Sequence, residues 1–409
     1  MSTLSPFASL KKSVVVAIDM ADYPHDPKSV NGVNFYALDD KQIEVLDTKP
    51  HSPTDYFFGY WFKLNPRMRL DPIGHLEHRH GSAGYACSGS RIYCAGGFDN
   101  ACEKCSGREW GRGRQDVYCW SSFTGSVTAL PEMNSRRREP QLVALKGTLF
   151  AIGGVNSNVC PPTFSNFIEY YEEGNSCWIQ VETPPGCVNL YEFVCGVWEE
   201  HNLIVFGSAD CASLVVLRVQ YGDDDDDEAG CCRIFQFQWF QSVVRFDVES
   251  LGQCIGSEPA IVSKGRMMWL DTRDGTTLVV LNCYTGEYFC HDLAEQGVLP
   301  SPKRDYHTVL VALEDEQIGL VWRDPNSYVV GETKDPSAIL ELIQVYPGPA
   351  DMFEVVKSQG AQAGLHFTKF RVGKTCLVID SHIRSFPPGH YNHVLTAILV
   401  EIATTETKH

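Results

Sequence analysis

The chain is 409 residues long, 44% hydrophobic and 11% aromatic, with a formal net charge of -17 at pH 7. That apolar share excludes a disordered chain, and the negative balance argues against nucleic acid or an anionic membrane surface as partner, since both reward dense positive charge. Sixteen cysteines without an export signal read as reduced thiols of a cytoplasmic or nuclear protein, and no apolar run approaches a membrane span.

No linker rich in Pro, Gly and Ser divides the sequence, so residues 1-409 read as a single domain. Strands are expected at Val14–Asp19, Val33–Asp39 (with a continuation through Ile43–Leu46) and Tyr56–Leu64. A regular unit follows over about 82-130, with Arg91-Ile-Tyr-Cys-Ala, Gly96-Gly97, Tyr118 and a Phe123-Thr124-Gly125 turn. The clearest unit spans 141-181: Gln141–Leu145, a Lys146-Gly147 turn, Thr148–Ile152, Gly153-Gly154, Phe167–Tyr171 and Trp178. No apolar stripe at helical spacing survives about ten residues here, so these short runs predict hairpins.

Less regular units cover 193-357. One holds Phe193–Trp198, a turn at Glu199–Asn202, Leu203–Phe206 with Gly207-Ser208 in the glycine-pair place, then Ser213–Gln220 and Arg233–Phe240 on either side of the acidic run Asp223–Glu228. The next holds Ala260–Val262, Lys264-Gly265, Met267–Leu270, Leu278–Leu281 and Tyr284-Thr285-Gly286, an echo of Phe123-Thr124-Gly125. Then Leu310–Leu313 repeats the Leu-Val-Ala-Leu of 142-145, followed by Ile318–Trp322, Ala338–Tyr346 and Met352–Lys357. The tail predicts strands at Phe367–Val372, Thr375–Asp380 and His393–Ile402. Inner strands are thus expected near 82, 141, 193, 258, 307 and 366, a period that suits one four-stranded propeller blade.

Gly-Gly, then Tyr, then Trp, with Leu130-Pro131-Glu132-Met133 and arginine leading into the next copy, resembles the kelch repeat of β-propellers. The residues carrying that resemblance are Gly96, Gly97, Gly153, Gly154, Tyr118, Tyr171 and Trp178; Val127 stands where the family has its Trp, so the outer strand of that blade is expected to be held less firmly. The resemblance implies an all-β propeller of four-stranded antiparallel blades. Seven blades are favoured, with a terminal blade shared between about 1-69 and 366-409, and six is the alternative. It also implies protein recognition, often as the substrate-binding half of a ubiquitin ligase, and in plants such propellers commonly follow an F-box. Strands beginning by Val14 leave no room for an F-box or BTB module, so the expectation is a free-standing, noncatalytic adaptor or scaffold.

In a propeller the loops joining second to third strands share a face with those joining blade to blade. Arg79, Arg136, Arg137, Arg138 and Arg304 fall in the latter, Arg112 and Arg114 in the former. Guanidinium groups around a channel mouth take carboxylates or phosphates, which points to an acidic segment of a protein partner; the plainer reading is that they tie neighbouring blades together. Arg136–Arg138 lead the candidates because three in succession cannot all point inward. Asp223–Glu228 reads as a solvated loop, or as a docking loop for a basic partner. Cys102 and Cys105, with Cys94, Cys119, His75, His78 and His80 nearby, lack the second pair a zinc site needs, so ordinary thiols are expected, with no metal and no cofactor. Gly-x-Ser-x-Gly and His-Glu-x-x-His are absent, Gly111-Arg112-Gly113-Arg114 opens no helix, and no catalytic residue is expected. The ligands of the metal-dependent kelch enzymes find no counterpart in the sequence. A metal enzyme or small-molecule binder at the channel mouth, and a ubiquitin-ligase receptor, stand as the alternatives.

Overall fold

Hairpin turns set the architecture. In the computed structural model, Lys146-Gly147 has φ of 48° and 81° and Lys264-Gly265 has φ of 49° and 71°, the left-handed pairing that a two-residue turn needs to keep two strands twisting together. The structure describes residues 11–20, 33–38, 73–76, 83–97, 113–138, 140–154, 168–182, 193–208, 211–222, 234–245, 259–271, 277–292, 308–312, 317–323, 337–345, 365–366, 371–376 and 393–403. They form an all-β fold of antiparallel sheets, with a three-residue 3-10 turn at Glu199–His201 and no α-helix among them.

Strands β1 (Lys11–Met20), β2 (Val33–Leu38) and β3 (Gly74–Leu76) pair in order. A four-stranded meander follows in β4 (Gly84–Ser88), β5 (Arg91–Ala95), β6 (Val117–Ser121) and β7 (Val127–Leu130). A second comprises β8 (Gln141–Leu145), β9 (Thr148–Ile152), β10 (Ile168–Tyr171) and β11 (Ile179–Val181). Two more units share one eight-stranded sheet: β12 (Phe193–Trp198), β13 (Leu203–Ser208), β14 (Cys211–Tyr221) and β15 (Ile234–Arg245), then β16 (Ala260–Ser263), β17 (Arg266–Leu270), β18 (Thr277–Asn282) and β19 (Tyr288–Asp292). The seam is a short parallel bridge of Gly196 to Ala260 and Val197 to Ile261. Glycine is required at 196, where a Cβ would stand 2.5 Å from Val262 Cγ2 and 2.9 Å from the Ala260 carbonyl.

The last sheet contains β20 (Thr308–Ala312), β21 (Gln317–Arg323), β22 (Ser337–Val345), β23 (Leu365–His366) and β24 (Arg371–Cys376), with β23 and β24 both pairing with β22. Finally β25 (His393–Ala403) pairs antiparallel with β1, so strands from both ends of the chain form one sheet in the order β25-β1-β2-β3. Among the described residues the strands thus form five four-strand units, two of them joined in the eight-stranded sheet, and one five-stranded sheet. The tail was expected to give three strands to the shared sheet and thereby favour a seventh unit. It gives one there, because β23 and β24 widen the sheet before it. The strand expected near 366 to open a unit is β23, which pairs with β22. The expected strands at Tyr56–Leu64 and Met352–Lys357 lie outside the described residues, as does the continuation through Ile43–Leu46.

Sheets pack face to face through alternating side chains. Phe35 and Leu76 meet Ile92, Cys94 and Trp120 at the first junction. Tyr93, Val117 and Cys119 meet Leu142, Leu149, Tyr171 and Trp178 at the second. Phe150, Ile168 and Tyr170 meet Phe206, Leu217 and Val219 at the third, and Val205 and Val216 meet Met267, Trp269 and Leu281 at the fourth. First strands of successive units are neighbours in the order β4, β8, β12, β16, β20, and β25 touches both β20 and β4.

Candidate functional site

The segment from Pro131 to Pro140 crosses from β7 to β8 and is threaded between the glycine pairs of two sheets. Gly96 and Gly97 have φ of 69° and 92°, Gly153 and Gly154 of 61° and 85°. A Cβ on Gly96 would stand 2.6 Å from the Arg137 carbonyl, and one on Gly154 2.9 Å from the Arg138 carbonyl, so here both dihedral freedom and lack of bulk are needed. Three backbone bonds of 2.9 Å lock the junction: Gly97 N–H to Arg137 O, Arg137 N–H to Arg114 O, and Arg114 N–H to Gly97 O. The Gln115 side chain adds bonds to the carbonyls of Met133 (2.9 Å) and Asn134 (3.1 Å).

Arg137 points inward. Its Nε and Nη2 donate to Glu169 Oε1 at 3.2 and 2.8 Å, and its Nη1 donates to the Gly153 carbonyl. Both side chains are buried, Arg137 at 2% exposure and Glu169 at 0%. Glu169 also accepts the backbone N–H of Asn134 (2.6 Å) and of Ser135 (3.0 Å). Burial lowers the Arg137 pKa and the Glu169 charge opposes that shift; such a buried pair is held by its hydrogen bonds as much as by charge. Expected as a partner contact, Arg137 instead ties this loop to the sheet of β8–β11, and this residue leaves the contact surface.

Arg136, by contrast, is exposed and Arg138 half-buried. Arg114 is half-exposed beside Asp116, Nε to Oδ2 at 3.2 Å, and is bridged to Arg137 across the junction. The structure thus brings Arg114 and Arg136–Arg138 to one end of two adjacent sheets. Arg79, Arg112 and Arg304 lie outside the described residues.

Tyr171 and Trp178 fill the gap between sheets, their rings 5.7 Å apart and tilted 30°. The Trp178 indole donates to Pro131 O at 2.8 Å, and Asn134 Nδ2 donates to Trp178 O at 2.9 Å. In the preceding sheet the strand register corrects one assignment. Ala95 pairs with Val117 as Ile152 pairs with Ile168, which sets Tyr118 at the place of Glu169 and Trp120 at the place of Tyr171. Trp120 faces back onto Phe35, ring centroids 5.0 Å apart. Val127 does stand at the Trp178 place, opposite Trp120, and is 39% exposed.

One member of this set was missed in the sequence. Trp239 pairs with Leu217 and donates its indole N–H to Glu182 O at 2.9 Å, just as Trp178 reaches back to Pro131. Both carbonyls lie one residue past the outermost strand of the preceding sheet. The spacing hid it: Trp178 lies seven residues after Tyr171, whereas the acidic run and its flanks separate Trp239 from β14.

Cys94 and Cys119 cannot share a metal, because they face opposite sides of their sheet, Cys94 toward Phe35 and Cys119 toward Leu149. Among the described residues no group of three His, Cys, Asp or Glu side chains is placed to hold an ion; Cys102 and Cys105 lie outside them. Burial raises the thiol pKa of Cys94 and Cys283 to about 12 and of Cys119 to about 11. At the opposite end of the strands an open groove of about 520 Å³ is lined by His201, Asn202, Arg218 and Tyr221. No helix among the described residues is long and apolar enough to cross a membrane. No protein-family model matches the chain, and no curated protein matches it.

Proposed function

We propose that this protein is a noncatalytic protein-binding module, a kelch-type propeller of six blades that uses its arginine-bearing end to hold an acidic segment of a partner. The observation that carries this reading is the division of labour within one loop. Arg137 is consumed in fixing the backbone, so the adjacent, exposed Arg136 is presented on a support locked across two sheets, with Arg138 and the Asp116-paired Arg114 beside it. A presented guanidinium on a rigid frame loses little freedom when it meets a carboxylate. The run of first-strand neighbours, with β25 lying beside both β20 and β4, supports the six-blade ring.

The test is binding of a fluorescent ten-residue glutamate peptide, followed by anisotropy at low and high salt. The double change Arg136→Glu, Arg138→Glu is expected to weaken binding about tenfold, given the modest worth of each partly exposed charge. Lys264→Glu, on a first-to-second turn and hence at the other end of the strands, is expected to leave it unchanged. Equal binding by all three proteins would remove this face from consideration.

A further inference from the structure

β14 outruns one of its neighbours. Its pairing with β13 stops at Leu203 and Arg218, while its pairing with β15 continues to Tyr221 and Ile234. Residues 219–221 therefore overhang the end of β13 by about 10 Å, at roughly 3.3 Å per residue. The hairpin of β12 and β13 closes early because Glu199–His201 forms a single 3-10 turn and Asn202 takes φ of 53°, a left-handed conformation in which asparagine is enriched. The open groove of about 520 Å³ is lined by that turn and by the overhang, and its size suits a small molecule.

No carboxylate lines the groove. Arg218 and His201 are both exposed, and the His201 ring stands edge-on to the buried Trp198, centroids 4.6 Å apart. Arg218 already makes a contact within the fold, but a guanidinium has five N–H donors, more than one contact uses, and can take a carboxylate in two parallel bonds. The groove also holds an unanswered acceptor: Asn202 Oδ1 has no hydrogen-bond partner. Turning the amide about Cβ–Cγ breaks no bond to that oxygen, so a donor on a ligand would complete it.

Asn202 and Arg218 are one step apart across the ladder, since Asn202 O accepts the Val219 N–H at 2.9 Å and Leu203 pairs with Arg218. A ligand that meets both side chains carries its carboxylate and its donor close together. Charge sharpens the choice. Glu199 and Glu200, both exposed, open the turn that bears His201, and the chain has a net charge of -17. A bare anion is repelled by that surround, whereas a ligand with a positive charge of its own is not.

We propose that this groove binds a free α-amino acid, its carboxylate on Arg218 and its ammonium on Asn202 Oδ1, with an apolar side chain laid toward the Tyr221 ring. The Tyr221 hydroxyl is engaged by Leu145 O at 3.0 Å, so the phenol offers the ligand its ring and not a donor. The site lies at the opposite end of the strands from the arginine-bearing loops and does not rest on them.

The experiment titrates the full chain with L-phenylalanine, L-leucine and L-glutamine by calorimetry. L-Phenylalanine is expected to bind most tightly, with a Kd of about 1 mM or below, and to slow amide exchange at 218–222. N-Acetyl-L-phenylalanine, which keeps only the carboxylate, and L-phenylalanine amide, which keeps only the ammonium, should each bind at least about tenfold less tightly. Arg218→Gln, at an exposed position, and Asn202→Gly, which preserves the left-handed backbone, should each weaken L-phenylalanine about tenfold at unchanged circular dichroism. Arg136→Glu should leave its affinity as it was. Absence of binding by all three amino acids overturns the proposal. So does equal binding by the acetylated or the amide form, which would make the groove a plain anion or cation site. Slow exchange at 218–222 before any ligand is added, as when the chain itself fills the groove, overturns it as well.

Discussion

Glu169 does more than neutralise Arg137. It accepts two side-chain and two backbone hydrogen bonds at zero exposure, so Glu169→Ala strands a buried guanidinium and two N–H groups together. The expected loss is about 3 to 5 kcal/mol. Arg137→Ala should cost less, because Glu169 keeps its bonds from Asn134 and Ser135. A urea double-mutant cycle should show a coupling of about 0.5 to 3 kcal/mol; additive losses would mean the pair contributes nothing as a pair. The buried thiols give a second residue-scale expectation. The folded pKa of Cys94 and Cys283 is raised from the ordinary 9.0 to about 12, so the folded state binds more protons in that interval. Their contribution is complete below about pH 9 and is lost as the pH climbs toward 12. Urea midpoints should fall over that window, and less steeply in Cys94→Ala. Alkylation read by mass spectrometry at about pH 8 should mark the exposed Cys177 and Cys290 and spare Cys94, Cys119, Cys195 and Cys283.

Elements were legible where the pattern was local. Gly153-Gly154, the Lys146-Gly147 turn and the Tyr171 to Trp178 interval all lie within one meander, and each expected strand there stands where it was read. The echo of Phe123-Thr124-Gly125 in Tyr284-Thr285-Gly286 was also sound: Gly125 N–H bonds Ser121 O and Gly286 N–H bonds Asn282 O, both at 2.8 Å. Register was not legible, because Tyr118 and Trp120 share a face, and only pairing decides which stands at the place of Tyr171. Trp239 was lost to the length of its hairpin, and the inward turn of Arg137 depended on a lone carboxylate in a distant strand. The outer strands should therefore rank by their anchors. Trp178→Ala is expected to cost about 3 to 5 kcal/mol, since Trp178 is 2% exposed. Trp239→Ala should cost less, the ring being half-buried, and Val127→Ala under about 1 kcal/mol. A urea series in which Val127→Ala cost as much as Trp178→Ala would show that the indole is not what holds the fourth strand.

At the scale of the whole molecule, the sequence misled in one place and for one reason. Phe367–Val372 and Thr375–Asp380 have the composition of two strands, but composition does not say which sheet they join; their described residues, 371–376, form one strand, β24, paired with β22. The strand that meets β1 is the last apolar run. Closing a pairing across nearly the whole chain costs little more than closing a short one, because each doubling of loop length adds only about 0.6 kcal/mol. The ten register pairs between β1 and β25 are then ample compensation. On the six-blade reading β25 is the innermost strand of its sheet and the neighbour of both β20 and β4, so its removal opens the ring at two contacts and unpairs β1. Deleting 393–409 should lower stability by about 4 kcal/mol or more, broaden the unfolding transition and enlarge the hydrodynamic radius. A peptide of residues 393–409 added in trans should bind the shortened chain and restore the sharp transition, because the slot between β20, β1 and β4 is still shaped for it. If the shortened chain unfolds at the same urea concentration with the same radius, the units form an open row and the ring must be given up.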